Sequence, residues 1–534
     1  MTPTAADPAE HRPALLLIRH PLVRNRLQEV WEDAYLQAFR HNFVLTVVEQ
    51  DCDLAELCQL YRPDLIAFRG AYSAPHRRIT VTGIDACPEI LRVGLYFGDG
   101  FCTTRAAFFH DMEQWRVEVF FTQTFYLREH MPEAADRLFV LPQTFDPTIF
   151  KDYGEAKVIP FIVFGELSPW RRWRMQTALA LIGKYPTLLV PHPGYGTAAG
   201  NFFSLVGEDY ARALNRALFS ICDGSIFDCV LRKHVEIPAS GAILISQPIA
   251  GLAEYGFVDM ENCIIGEGDA LFAKIDAVIA DPDRLQSIAR AGFALAQSRH
   301  AAPHADQLYR WFRLRRDLNP GQTIVQHGTF GRFEAVTDGR QGALCPFAPP
   351  INELARAITA AEQDYRQGDM PAAFAKVKEV LEAKNEFAPA RLLLVRILLK
   401  SGFADQAVDN SLFLFSLAQQ IYGAPEPDPV EWAWYVIALA CRGELDRARL
   451  ELARYPSQRH AELRRTAWLI DRLGGGTAAL PDGRLLPTDR PSIAVQHIAD
   501  FAVWLDDARE MLQNCGQVAL LSQLSGVNLS PSNS

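Results

Sequence analysis

The sequence predicts an α/β fold for its first 318 residues and an all-α region after residue 350. The first observation is that short apolar, β-rich runs alternate with stretches whose apolar residues recur at helical spacing. Such alternation is typical of parallel sheets that are covered by helices on both faces. The second observation is that the turn-like stretch 145–157 interrupts the alternation once. The alternation restarts after this stretch and ends near residue 318. Two α/β units followed by helices are therefore expected.

The first unit is predicted over residues 1–155. Its expected strands are ALLLI (14–18), FVLTVVE (43–49), DLIAFRG (64–70), RVGLYFG (92–98), VEVFFTQ (117–123) and RLFVLPQ (137–143). Helices are expected between these strands, at 22–39, 53–61, 104–113 and 124–133. A regular succession of strands and helices predicts a Rossmann-like domain.

The second unit is predicted over residues 156–318 and is also Rossmann-like. Its expected strands are IPFIVFGE (159–166), TLLVPHP (187–193), ALFSICD (217–223), AILISQ (242–247) and NCIIGE (262–267). Helices are expected to follow at 269–279, 282–297 and 303–316. Because open α/β sheets bind ligands beyond the carboxyl ends of their strands, two such units facing each other predict a binding cleft.

A repeat marks the helical region at residues 350–475. Three glycines are each followed five residues later by an alanine: Gly368 and Ala373, Gly402 and Ala407, Gly443 and Ala448. The first two glycines are 34 residues apart, which is the tetratricopeptide (TPR) period. We expect TPR-like helix pairs, with an irregular helical bundle as the alternative. Residues 319–349 are predicted to be a linker, and 476–534 a connector with terminal helices and a polar tail.

Composition excludes several classes of protein. The chain has 53 Lys and Arg against 63 Asp and Glu, a net charge of −10, which argues against binding to nucleic acid polymers or anionic membranes. No two of its 10 cysteines have C-x-x-C spacing, so neither a zinc site nor a disulfide framework is expected. The sequence offers no signal peptide and no apolar run long enough for a membrane span. We expect a soluble cytoplasmic protein.

The most informative segment is LRKHVEIPASGAILISQPIAGLAEYGF, residues 231–257. Lys233, Glu236, Ala239 and Gly241, followed by an apolar strand at 242–246 and by Glu254, form a pattern that resembles the C-terminal half of GT-B glycosyltransferases, especially the CgeB-like branch. Other matches with this family are Leu141-Pro142-Gln143, Phe145-Asp146-Pro147, Phe164-Gly165 with Pro169, Ala291-Gly292 and His300.

The resemblance implies hexosyl transfer from a nucleotide-diphosphate sugar to an acceptor, with no metal and no other cofactor. The donor would bind to residues 156–318 and the acceptor to the first unit. Glu236 corresponds to the second carboxylate of the family's paired-glutamate motif, which accepts hydrogen bonds from ribose hydroxyls. The first position of that motif is occupied by Asp228, whose side chain is shorter than that of the family's glutamate. In the family, the carboxylate at this position contacts the donor sugar.

A diphosphate requires positive charge and close backbone approach. Lys233 and Arg171 or Arg172 would supply the charge, and Gly165 would let the backbone approach the phosphates. An ordinary solvated helix face is the alternative for the arginines. His192, in the loop His192-Pro193-Gly194-Tyr195, would contact the nucleobase or the sugar, or would simply end its strand.

The acceptor side offers candidates for a general base. The first is Asp99, which directly follows an apolar strand; the others are His110 and Asp111, and His20 also follows a strand. The alternatives are a plain turn at Asp99 and a packing role for His110. TPR-like arrays bind proteins, so a protein acceptor or recruiter is expected, while polysaccharide or lipid-linked acceptors stay open. A nucleotide-sugar epimerase and a non-catalytic scaffold on the same fold are the alternative functions.

Overall fold

The structure is a computed structural model. The residues it describes are 12–21, 26–70, 77–98, 102–123, 131–193, 205–337, 339, 353–481, 483–492 and 500–524. Two parallel sheets and a long helical region make up this part of the chain. This confirms the predicted fold class of two Rossmann-like α/β units followed by an all-α helical region.

The first unit contains a six-stranded parallel sheet of order β2-β1-β4-β6-β7-β8. Its strands are β1 Ala14–Arg19, β2 Val44–Val48, β4 Leu65–Arg69, β6 Leu91–Tyr96, β7 Val119–Thr122 and β8 Leu138–Val140, with a small separate pair, β3 Cys52–Asp53 and β5 Val81–Thr82. Its helices are α1 Arg26–Asn42, α2 Leu54–Tyr61 and α3 Thr104–Gln114, with a 3-10 turn at Pro132–Arg137. Alternate residues of the strands enter hydrophobic cores on opposite faces, which is why the strands read as continuous apolar runs.

The second unit contains a five-stranded parallel sheet of order β10-β9-β11-β12-β13. Its strands are β9 Ile159–Phe164, β10 Thr187–Val190, β11 Ala217–Cys222, β12 Ile243–Ser246 and β13 Ile264–Ile265. Its helices are α4 Arg172–Lys184, α5 Glu208–Asn215, α6 Arg232–Ala239, α7 Gly268–Ile279 and α8 Pro282–Leu295, with short turns at Ser225–Phe227, Ala296–His300 and Ala302–His304. Helices α5 and α6 cover one face of this sheet, and α4, α7 and α8 cover the other.

The chain then returns to the first unit. Helix α9, Gln307–Arg316, places Leu308, Trp311 and Phe312 in the core of the first sheet, where the indole of Trp311 packs edge-on against Phe121 at 5.4 Å. An antiparallel hairpin follows, β14 Gln322–Gln326 and β15 Phe333–Thr337. The side chain of Gln326 accepts a hydrogen bond from the backbone N–H of Val140 at 2.8 Å. Part of the segment 319–349, which the sequence predicts to be a linker, is therefore a hairpin. Helix α9 packs on the first unit and buries its apolar face there.

The helical region is built from paired helices. They are α10 Glu353–Gln367, α11 Met370–Ala383, α12 Ala388–Lys400, α13 Ala404–Ser411, α14 Phe413–Tyr422, α15 Pro429–Cys441, α16 Leu445–Leu452, α17 Ala461–Leu473, α18 Phe501–Asn514 and α19 Val518–Leu521. The three repeat glycines lie between two helices with φ of 81° to 85°, a conformation that glycine adopts without strain. The three repeat alanines are fully buried. Helix hairpins thus occur where the repeat predicts them, and membership of the TPR family stays a prediction.

The helical region is joined to the first unit through buried charges. The guanidinium of Arg490, which is 1% exposed, forms ion pairs with Glu113 of α3 and with Glu426, the latter at 2.6 Å. His460 lies 3.1 Å from the carboxylate of Glu133. These ion pairs connect the helical region to α3 and to the turn at Pro132–Arg137.

Candidate functional site

Two cations converge on the carboxyl end of β9. The ammonium of Lys233, on α6, donates a hydrogen bond to the carbonyl of Phe164 at 2.9 Å. The guanidinium of Arg174, on α4, donates to the same carbonyl at 2.8 Å. Strand β9 lies between β10 and β11, and helices from both faces of the sheet reach this one carbonyl.

A third cation joins them through Asp223, the residue that follows β11. Arg171 donates two hydrogen bonds to this carboxylate, at 2.7 and 2.5 Å, and Arg174 forms an ion pair with it at 2.8 Å. Arg171, Arg174 and Lys233 are here called the cation cluster. Asp223 compensates one of its three positive charges.

The cation cluster keeps a positive potential. Burial, reinforced by the charges of Arg174 and Arg171, lowers the pKa of Lys233 to about 7. Burial would raise the pKa of Asp223, but Arg174 and Arg171 outweigh it and the pKa is lowered. Burial, followed by the charge of Lys233, lowers the pKa of His192 to about 4, so this imidazole is neutral near pH 7. The cluster is therefore suited to an anion rather than to a cation.

Gly165 leaves room for the backbone to lie close to the cation cluster. Its φ is 111°, and a Cβ at this position would lie 2.5 Å from a guanidinium nitrogen of Arg174 and 3.0 Å from the ammonium of Lys233. No side chain fits there without displacing the cations. The glycine thus brings the backbone after β9 directly onto the cation cluster.

From the sequence, a solvated helix face is the alternative to a diphosphate-binding role for Arg171, Arg172 and also Arg174. The structure separates the three. Arg174 is fully buried in the cation cluster, Arg171 is half-buried beside it, and Arg172 is exposed. The spacing of three residues between Arg171 and Arg174 places both on one side of the helix start, and this was the available signal.

Glu236 lies on α6, one turn after Arg232. It is 6% exposed, and its carboxylate forms an ion pair with Arg232 at 2.6 Å. The guanidinium of Arg232 lies over the indole of Trp31 on α1, with 5.7 Å between the guanidinium carbon and the ring centre. Glu236 therefore sits on the face of the second unit that meets the first.

Asp228 adopts a left-handed backbone conformation, with φ of 47°, in the loop after β11. The side chain of Gln247 donates to its carboxylate at 3.5 Å. A Cβ at Gly224 would lie 2.6 Å from the Cα of Asp228, so the small residue lets the loop fold back on itself.

A cavity of 590 Å³ opens beside Asp228 at the same edge of the sheet. Arg171 and Arg172 line it from the start of α4, and Gln247 lines it from the end of β12. Its volume lies in the range of small-molecule sites, about 300–1,000 Å³. The structure thus places Lys233, Arg171 and Gly165 at the cation cluster and Arg172 and Asp228 at this adjoining cavity, while Glu236 and His192 do not line the cavity.

The acceptor candidates are placed differently. Asp111 is buried, with one carboxylate oxygen 3.0 Å from Nε2 of His20 and the other paired with Arg78. The second ring nitrogen of His20 accepts the backbone N–H of Ile79 at 3.0 Å. Burial, with the charge of Arg78, lowers the pKa of His20 to about 3. This arrangement is a buried hydrogen-bonded network, which favours a structural role for Asp111.

His110 lies at the contact with the helical region, with its Nδ1 3.3 Å from the carboxylate of Glu426. This position favours the packing role over the catalytic one. Asp99 lies outside the described residues, as do Gly194 and Tyr195 of the loop that His192 begins.

Two further features concern only the described part of the chain. There, no three or more His, Cys, Asp or Glu side chains are grouped so that they could ligate a metal. Metal independence stays a prediction. None of the helices described combines the length and the apolar character that crossing a bilayer requires.

Comparisons with known proteins concern mainly the second unit. Residues 151–308 match a protein family described as glycosyl transferase-like. No curated protein matches the chain in sequence.

Three solved structures are each similar to just over half of this chain. An α-glucosyltransferase in complex with UDP-glucose and DNA is 9% identical, with a TM-score of 0.41 over 56% of this chain and 99% of its own. Sucrose-phosphate synthase from Thermosynechococcus elongatus is 10% identical, with a TM-score of 0.38 over 57% of this chain and 100% of its own. HepE from Anabaena, in complex with UDP and glucose, is 12% identical, with a TM-score of 0.34 over 56% of this chain and 98% of its own.

The cation cluster, Gly165, Asp228 and Glu236 all fall within the matched residues. The second α/β unit of this chain is thus similar to a glycosyl transferase-like family over residues 151–308.

Proposed function

We propose that the protein transfers a hexosyl group from a nucleotide-diphosphate sugar to an acceptor hydroxyl. The observation that carries the proposal is the cation cluster, in which three buried or half-buried cations meet at the end of β9 with Asp223 compensating one of them. A diphosphate supplies the missing negative charge. When the glycosidic bond to the diphosphate breaks, the leaving oxygen gains negative charge, which Arg171, Arg174 and Lys233 stabilise.

The same cluster accounts for the expectation that no metal is needed. Divalent cations in phosphate-transfer sites neutralise the charge that develops on the leaving group. Here fixed guanidinium and ammonium groups occupy that role, and Gly165 removes the steric barrier between them and the phosphates. Glu236 has the position for the ribose hydroxyls, with Arg232 holding one oxygen of its carboxylate.

The acceptor side of the proposal rests on the cleft between the two units. Asp111 already has both oxygens engaged by His20 and Arg78, so we assign it no proton transfer. Asp99 remains our candidate for the general base. A protein acceptor or recruiter on the helical region, a CgeB-like subtype and a cytoplasmic location also remain proposals, supported by the sequence patterns alone.

The test is binding of nucleotide sugars by calorimetry, after a thermal-shift screen across UDP-, GDP-, CMP- and dTDP-sugars. The variant is Lys233→Met, which keeps the length of the side chain and removes its charge. The matched control is Lys184→Ala, since Lys184 is an exposed lysine at the other end of α4.

We expect Lys233→Met to weaken nucleotide-sugar binding by about tenfold or more, because charge-assisted hydrogen bonds contribute roughly 1.5–3 kcal/mol. The control should bind as the wild type does. Equal affinity in Lys233→Met and wild type, or no stabilisation by any nucleotide sugar, would contradict the proposal. Following the sugar itself by NMR separates transfer from epimerisation, since only the latter changes the donor without an acceptor.

A further inference from the structure

The cavity beside Asp228 has one wall that does not come from the second unit. Leu354 and Arg356, both on α10, line it from the helical region. Around its rim, Trp170 and Ile226 pack against the hydrophobic core of that region. The cavity is therefore complete only where the helical region meets the second unit.

The lining combines flat apolar surface with hydrogen-bonding groups of several kinds. The indoles of Trp170 and Trp173 supply the apolar surface, and Trp173 is held in place because its ring N–H donates to the carbonyl of Gly266 at 2.9 Å. The polar groups are carboxylates, an amide and guanidinium groups, from Asp228, Asp269, Gln247, Arg172 and Arg356.

This combination matches the chemistry of a saccharide. Sugar hydroxyls both donate and accept hydrogen bonds, so carboxylate, amide and guanidinium groups can all bind them. The C–H faces of a sugar ring are apolar and pack on aromatic rings. Acidic and basic groups face the cavity together, which favours a neutral polyhydroxylated ligand over a simple anion or cation.

We propose that this cavity binds a saccharide and that the helical region, through Leu354 and Arg356, forms one of its walls. The inference rests on the proposed function, because the cavity adjoins the cation cluster through Arg171, which lines it and is bonded to Asp223. The saccharide is either the sugar of the donor or a sugar unit of the acceptor. In both cases the helical region takes part in substrate recognition at the transferase site itself.

The test uses the full chain with Arg356→Ala. Arg356 is exposed, so its truncation leaves the core intact. The matched control is Arg366→Ala, an exposed arginine in the last turn of the same helix that does not line the cavity. The first measurement compares the affinities for UDP, GDP and dTDP with those for their glucose esters. The second follows a panel of p-nitrophenyl glycosides by saturation-transfer NMR, with the nucleotide present in excess.

If the cavity holds the donor sugar, Arg356→Ala weakens binding of the glucose ester by about tenfold while the nucleotide alone binds as before, since a charge-assisted hydrogen bond to the sugar is lost. If it holds an acceptor sugar, donor affinities are unchanged and the glycoside signal of the wild type is lost in Arg356→Ala.

The proposal is overturned if Arg356→Ala changes neither measurement, if it weakens the nucleotide and its glucose ester equally, or if Arg366→Ala has the same effect. These results are separable from failure of the proposed function, in which the wild type binds no nucleotide and Lys233→Met changes nothing.

Discussion

The low pKa of Lys233 makes donor binding depend on pH in a way that can be calculated. Burial, with the charges of Arg174 and Arg171, lowers this pKa to about 7 in the free protein. A bound diphosphate stabilises the ammonium and returns its pKa toward the ordinary value for lysine, about 10.4. Above pH 7 the free protein holds a neutral Lys233, so binding requires uptake of a proton and affinity falls as pH rises.

The magnitude follows from the fraction of protonated Lys233 in the free protein. This fraction falls from about one half at pH 7 to about one hundredth at pH 9, so affinity is expected to fall about 50-fold over that interval. At pH 8 each binding event should take up about 0.9 proton. Burial lowers the pKa of His192 to about 4, so this residue does not titrate in the same range.

The assay is calorimetric titration with a nucleotide sugar, whose diphosphate is a diester and keeps its charge between pH 7 and 9. Repeating the titration in buffers of different ionisation enthalpy counts the protons taken up. Lys233→Met should bind weakly and without this pH dependence, while Lys184→Ala should follow the wild type. An affinity that stays constant from pH 7 to 9, or the same slope in Lys233→Met, would refute the reasoning.

Three further perturbations test the site and the packing around it. Gly165→Ala should weaken nucleotide-sugar binding at least tenfold in calorimetry, because the new Cβ would lie 2.5 Å from Arg174; wild-type affinity would show that the backbone there does not approach the ligand. Arg490→Met should lower the free energy of unfolding by about 2 kcal/mol, because it removes the charged hydrogen bonds that buried Arg490 makes to the partly exposed carboxylates of Glu113 and Glu426; an unchanged denaturation midpoint would contradict this interface. Trp311→Ala should cost about 3–5 kcal/mol of stability through the cavity it leaves in the first unit, and a loss below 1 kcal/mol would show that α9 does not pack there.

The sequence alone predicted the strands of both sheets closely. All eleven expected strands occur, because a strand buried on both faces must be apolar along its whole length and such runs are visible without an alignment. The turns of the helical region were equally predictable from the sequence, because Gly368, Gly402 and Gly443 occupy backbone conformations that other residues rarely adopt.

The candidate site was predictable in its composition but not in its arrangement. Lys233, Arg171 and Gly165 were selected for a diphosphate, and the structure brings them together at the end of β9. Arg174 and Arg172 belong to the same short basic stretch, yet Arg174 is buried and Arg172 is exposed. The difference arises from which side of α4 packs on the sheet, and this depends on residues far away in the chain.

Local pattern therefore determined the class of the fold, the order of its elements and the kinds of charge available for a diphosphate. Only the tertiary structure decided that α9 and the hairpin pack on the first unit, that Asp111 is held in a buried network with His20 and Arg78, and that Arg356 reaches the cavity beside Asp228. The physical reason is that periodicity reports which residues avoid water, whereas pairing across long sequence separations depends on which buried surfaces meet.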